Sequence, residues 1–323
     1  MNSAVAQTDE VDPLVRDQLN AQRAASEDRR DRIVRTARQV SVFAIFLAAL
    51  AGLYTAYKAF ASAVDGGQTD WPILGSFLPR GDDLNMPPLG DIVSQFGATD
   101  RGGKNYSWAL FDEGLFTLRE AAVGFVAGVV IGMGIAILLA RYKPLERGLL
   151  PYVIASQTIP LIAIAPIIVI WGRKNFDWLP WEWQDWMSVS IIATYLTFFP
   201  VAVNGLRGLQ SPSPDHVELM DSYASSWWQT LWRLRLPASV PYLFASFKIA
   251  ATASIVGAIV GEISAGVQGG LGRRLLGEAL NYTTGPQRLY AAVVGSAVLG
   301  IAVFLFVSAV ERSVLHRQNR EAI

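Results

Sequence analysis

Apolar residues along this chain come in long uninterrupted runs rather than in short alternations. Val40 to Tyr57 carries no charge, and the run extends to Ala63. At 1.5 Å per residue, about 20 residues cross a hydrocarbon core of ~30 Å, so residues 39–63 are expected to span a membrane. Lys58 would then snorkel to the far interface. Comparable runs cover Thr117 to Ala140, Leu149 to Trp171, Met187 to Leu206, Ser239 to Ser264 and Leu289 to Val310. The pattern predicts an all-α, polytopic membrane protein with about six transmembrane helices. Asp65 to Asn105 is polar, broken by Gly and Pro, and unfit to cross lipid. Residues 64–116 are therefore expected to form an extracytoplasmic segment with an interfacial helix, resting on Trp71 and Trp108. A further aromatic belt, Trp171, Trp178, Trp181, Trp183 and Trp186, brackets the loop between the third and fourth spans.

Composition narrows the function. The chain is 52% hydrophobic and 17% charged, against the roughly one quarter charged that is usual in soluble domains. The formal charge is zero, which argues against a nucleic-acid partner. Cysteine is absent, and the two histidines, His216 and His316, lie in a polar loop and a charged tail. A thiol nucleophile or a metal site is not expected. No Gly-x-x-x-x-Gly-Lys-Ser/Thr loop is present to hold ATP. The chain is thus expected to be no enzyme, with no catalytic, cofactor-binding or metal-ligating residues.

Basic residues set the orientation. Segments next to alternate span ends carry five, three, three and three of them: Arg29 to Arg38, Arg141 to Arg147, Arg207 to Arg235 and Arg312 to Arg320. The intervening segments carry three, two and three. The excess places residues 1–38 and 316–323 inside as cytoplasmic tails, together with the loop after the fourth span. The tail 1–38 reads as solvated, with contact to anionic lipid or to an ATPase as the sharper alternative.

Within the spans, Gly124, Gly128 and Gly132 repeat every fourth residue, which allows close backbone approach. That stripe suits packing on the chain's own helices or on a second subunit. Pro151, Pro160 and Pro166 interrupt the third span, and Gln157 and Thr158 lie beside Pro160. Interior prolines free carbonyls that neighbours or a water-filled path must satisfy. Arg119, Lys248 and Glu262 are taken as the only charges inside spans. An ion-coupled secondary carrier would want paired buried carboxylates at mid-depth, and this tally offers none.

One stretch does not belong in a solvent loop. Asp215 to Pro237 is polar yet contains Trp227, Trp228 and Trp232. Its pattern predicts two short helices joined by a bend near Ala224, the second ending at Pro237. Trp228, Leu231 and Trp232 fall at i, i+3 and i+4, which places them on one face. Such a face could lie in the lipid interface, pack on the chain's own spans or fit a partner's groove.

This stretch resembles the coupling segment of permease subunits in ABC importers. That segment has a Glu, two small residues, three of any kind, a Gly, and an Ile-x-Leu-Pro end. Glu218 takes the Glu place, Ala224 the Gly place, and Leu234, Leu236 and Pro237 the closing places. Ser222, Tyr223, Trp228 and Gln229 resemble the branch importing nitrate, sulfonates, taurine and vitamin precursors. Leu219 and Met220 depart from the small pair. Ala224 departs from Gly, and if that place requires positive φ the Ala is strained by about 1 kcal/mol, so a more helical bend is expected.

The resemblance covers Phe116 to Leu315. It implies a type I permease core over residues 117–315, with a coupling segment at 215–237, in the cell (inner) membrane. It also implies a cytoplasmic ABC ATPase dimer that binds the ATP, an extracytoplasmic solute-binding protein, and a second permease copy or paralogue. Glu218, Tyr223, Ala224, Trp228, Leu231, Trp232, Leu234, Leu236 and Pro237 would meet the ATPase. Gln157, Thr158 and Pro160 match the region lining the translocation path, although interhelical hydrogen bonding would also suit them. Glu262, near the outer mouth, is a candidate gate contact.

Overall fold

The computed structural model describes residues 34, 38, 41–63, 81–175 and 182–321, with 316–321 given by backbone alone. Arg29, Arg30, Arg32, Arg35, Trp71, Trp178 and Trp181, and the side chains of His316, Arg317 and Arg320, lie outside the described residues. The chain divides into two compact units at Leu89 and Gly90.

In the first unit, α1 (Ser41–Ala63) is long and apolar enough to cross a bilayer. The Tyr54 hydroxyl donates to the Pro87 carbonyl at 2.8 Å, and Lys58 pairs with Asp83 at 2.7 Å. Lys58 thus has an acidic partner beyond the snorkelling its position suggests.

The second unit opens with the short helix α2 (Leu89–Gln95), followed by α3 (Tyr106–Arg141). Asn105 caps α3 by accepting from the Ser107 N–H at 2.9 Å, so the helix starts well before the apolar run at Thr117. The charges at Asp112 and Glu113 lower the local hydropathy without breaking a helix. At 36 residues α3 is about 54 Å long and projects beyond the hydrocarbon.

The third apolar run is not one continuous span. It folds as α4 (Lys143–Ser156) and α5 (Leu161–Asn175), bent by 94° at a break holding Gln157, Thr158 and Pro160. Pro160 supplies no N–H and disfavours a helical Ile159, so the backbone turns there. The remaining elements are α6 (Asp185–Leu209), α7 (Pro214–Ser222), α8 (Trp227–Thr230), α9 (Leu236–Ala265), α10 (Gly270–Leu280) and α11 (Pro286–Glu321). Among the described residues there is no strand, only the bridge between Thr99 and Asn105.

The core is a three-helix contact of α3, α6 and α9. Gly124, Gly128 and Gly132 are buried against Ala193, Thr197 and Val201 of α6, in that order, so α3 and α6 run parallel. A Cβ on Gly128 would sit 2.5 Å from Thr197 Cβ. Gly257 of α9 brings its backbone onto Ala193 from another side, and α9 runs antiparallel to α6. Within this chain the glycine rows serve helix contacts. Lys248 of α9 pairs with Glu311 of α11 at 2.8 Å.

At the end of the bundle where α3 starts, Arg274 of α10 holds Asp100 through two hydrogen bonds of 2.9 and 3.0 Å, and reaches Glu113 and Glu278. Burial disfavours the Asp100 charge, but the Arg274 and backbone hydrogen bonds outweigh it and hold the carboxyl below its usual range.

Candidate functional site

Residues 211–237 form an elbow at the opposite end of the bundle, between α6 and α9. Its first arm, α7, starts with Pro214 at a position where the missing N–H costs nothing. It ends in a Schellman arrangement: the Ser225 N–H donates to Met220 O at 3.1 Å and the Ala224 N–H to Asp221 O at 2.9 Å. That geometry requires a left-handed residue, and Ala224 has φ 52°, alone among described non-glycine residues in being positive. The more helical bend expected from Ala is not found, because the closing hydrogen bonds of α7 fix the conformation. Ala224→Gly should raise stability by about 0.5–1 kcal/mol, since the left-handed penalty falls on Cβ and exceeds glycine's entropic cost. A thermal melt of the purified variant checks this.

The second arm does not stop at Pro237. A capping box starts it: Ser226 accepts from the Gln229 N–H at 3.3 Å, and Gln229 accepts from the Ser226 N–H at 2.7 Å. One widened π turn, Leu231–Arg235, follows, with the Leu236 N–H bonded to Leu231 O. A regular turn would leave the Arg233 carbonyl clashing with the Pro237 ring; the extra residue relieves this, and the helix continues into α9.

Trp228, Leu231 and Trp232 are not on one face. Leu231 is 1% exposed and packs with Ala136 and Leu139 of α3 and Leu206 and Leu209 of α6. Trp228 and Trp232 are 61% and 68% exposed. Leu231 and Trp232 are neighbours about 100° apart on the helix, and the edge of the buried stripe falls between them. Trp227 belongs to the buried side, with the Arg141 guanidinium 5.0 Å above its ring. Leu234 and Leu236 are partly buried, and Pro237 is exposed. Arg235 donates to Leu209 O at 3.0 Å, satisfying a carbonyl at the end of α6.

On the outside of the elbow, Leu219, Tyr223, Trp228 and Trp232 are exposed, and so is Glu218. The elbow therefore has a buried root gripping the ends of α3 and α6 and an aromatic outer surface on polar helices.

The other singled-out residues lie apart from the elbow. Gln157 and Thr158 sit at the α4–α5 break, where Thr158 donates to Ala155 O at 2.8 Å and Thr158 and Pro160 are exposed. Tyr195 of α6 donates to the Ser156 carbonyl beside them. Glu262 is fully buried and faces no opening. Its carboxylate accepts from Thr117 at 2.7 Å and from the Gly272 N–H at 2.5 Å. Arg119 rests its guanidinium 4.1 Å from the Trp186 ring centroid.

Glu120 is a fourth charge inside the spans, besides Arg119, Lys248 and Glu262. It is fully buried and adjoins Glu262. The signal was legible: Glu120 starts the same every-fourth-residue row as Gly124, Gly128 and Gly132.

Comparison with known proteins defines the class first. The chain superposes on a chain of the inward-facing MetNI methionine ABC transporter with a TM-score of 0.55 at 19% identity, covering 64% of this chain and 97% of that one. The fold is that of type I ABC importer permeases. The chain belongs to the family described as binding-protein-dependent transport system inner membrane component, matched over residues 128–316. It is 31% identical to the formylaminopyrimidine transport permease protein ThiX of Halalkalibacterium halodurans, over 64% of this chain and 77% of that protein. It is 27% identical to the riboflavin transport system permease protein RibX of Chloroflexus aurantiacus (64% and 72%). With the putative aliphatic sulfonates transport permease protein SsuC of Bacillus subtilis the identity is 25% (66% and 72%). It is thus a multi-pass permease component of an importer for small solutes, in a family of transport proteins rather than enzymes.

Proposed function

We propose that this chain forms the membrane path for a small polar or anionic solute and is driven by a separate ATPase gripping its elbow. The carrying observation is that Leu219, Tyr223, Trp228 and Trp232 stay exposed on an elbow whose root is firmly buried. Indoles displayed on polar helices outside the lipid are costly unless a partner covers them, and a helix-binding groove is suited to do so. Glu218 at the rim adds a charge for orientation. ATP would be bound by that partner, an ATPase dimer, while this chain binds no cofactor.

The excess of basic residues beside alternate span ends supports an elbow and both termini on the cytoplasmic side of the cell membrane. An extracytoplasmic binding protein would deliver the solute, and a second copy or a paralogue would complete the path, with Gln157, Thr158 and Pro160 near it. The names of the relatives support a vitamin or vitamin precursor or a sulfonate as the solute class, and the branch resemblance of the coupling segment adds nitrate.

Because the sequence has no cysteine, a single Tyr223→Cys is a clean probe. It should react with an impermeant maleimide only from the cytoplasmic side and cross-link to the ATPase subunit. Labelling from the outer face of intact cells alone would end the proposal. Uptake driven by a pH gradient in vesicles without the ATPase would favour an ion-coupled carrier instead, the reading that the Glu120–Glu262 pair supports.

A further inference from the structure

Far from the elbow, the loop joining α9 to α10 closes around a carboxylate. Glu262, in the last turn of α9, is 0% exposed and points at the first turn of α10. One oxygen accepts from the Gly272 N–H and the other from the Thr117 hydroxyl, which itself accepts from the Leu271 N–H at 2.9 Å. Gly270 has φ 84°, and a Cβ there would overlap the carboxylate. Glu262 therefore acts as a long-range cap for α10, a place that favours its negative charge.

Glu120 lies one turn along α3 from Thr117, also 0% exposed, within hydrogen-bond reach of Glu262. Neither of its oxygens accepts a hydrogen bond from any described group. The charged neighbours supply it no hydrogen bond. Arg119 carries its guanidinium on the rings of Trp186 and Phe116, and Glu113 is spent on Arg274. Two carboxylates in contact, with no donor for one of them, cannot both stay ionised in a buried site. A carboxylic acid, by contrast, brings its own donor.

We propose that Glu120 is a proton-binding site: it holds a proton and donates its O–H to the Glu262 carboxylate, completing a three-donor cap that locks α10 onto α3 and α9. The proton's role is to supply the donor that the first turn of α10 and Thr117 leave missing. Losing it puts two like charges in contact and releases the loop at residues 266–269 with the first turn of α10.

Infrared spectra of the whole chain in lipid nanodiscs test this. At neutral pH the wild type should show the C=O stretch of a buried carboxylic acid, shifted in D2O and absent from Glu120→Gln. The amide of that variant still donates to Glu262, so its melting temperature should match the wild type at neutral pH. Raising the pH well into the alkaline range should then lower the wild-type melting temperature by about 5 °C or more and leave the variant unchanged. A wild-type spectrum without an exchangeable carboxyl band overturns the proposal, as a metal cation bridging the two carboxylates would produce. So does a band that persists in Glu120→Gln, or the same alkaline loss in both proteins. Should the variant fail to accumulate, disappearance of the wild-type band on alkaline titration, in step with the fall in melting temperature, decides the question alone.

Discussion

A chain carrying Trp228→Asp together with Trp232→Asp is expected to insert and fold, yet to import at least about tenfold less solute than the wild type. Both side chains are mostly exposed and neither contributes to the contact of α3, α6 and α9, so the change costs the isolated chain little. At an interface the same two indoles are natural anchors, and truncating one such residue typically costs about 2 kcal/mol or more of binding. Replacing them by carboxylates also puts charges where a partner's groove is apolar. The readouts are solute uptake in reconstituted vesicles and stimulation of ATP hydrolysis by loaded binding protein; both should fall together. Leu231→Asp serves as the contrast. It buries a charge between Leu139 and Leu209 and should prevent the protein from accumulating at all. Normal uptake by the double variant would remove the elbow from the drive mechanism.

The second large effect is expected at Gly128. A leucine there must displace Thr197, whose Cβ lies 2.5 Å from where the new Cβ would be. The added atoms have no free volume, because Gly124 and Gly132 hold the same two helices equally close on either side. Overpacking of this kind typically costs about 1–3 kcal/mol, and two parallel spans forced apart sit at the upper end. Gly128→Leu should lower the melting temperature and the yield of folded protein, whereas Gly134→Leu, at a glycine with nothing near its Cβ, should leave both unchanged. Equal behaviour of the two variants would show that the contact yields easily.

Much of this architecture was legible in the sequence because lipid imposes simple rules. Runs such as Met187 to Leu206 identify themselves, and the helices extend past them only where polar turns continue, as from Tyr106 to Phe116. The coupling spacing from Glu218 to Pro237 also stood out. What failed was local reasoning taken without its surroundings. Pro237 looked like a terminator because a regular helix cannot carry it, but a single wide turn can. Ala224 looked too strained to be left-handed, yet two closing hydrogen bonds hold it there. The Ser226-x-x-Gln229 capping box is itself a sequence signal for the start of that helix. Trp228, Leu231 and Trp232 could not be sorted into inner and outer faces, since periodicity gives angles and not the place where the neighbouring helices stand. Glu120 needed the glycine row to be extended by one more step.

The passage of a helix through Pro237 has a mechanical meaning. Trp227 to Ala265 is a single rod of 39 residues, about 58 Å long. One tip lies in the exposed elbow, and the other carries Glu262, around which the far loop is wrapped. A rod of that length does not need a relay of side chains to report at one surface what happens at the other, because tilting it moves both tips at once and in opposite senses. The wide turn at Leu231 to Arg235, seated beside the fixed ends of α3 and α6, is where such a crankshaft would have its bearing.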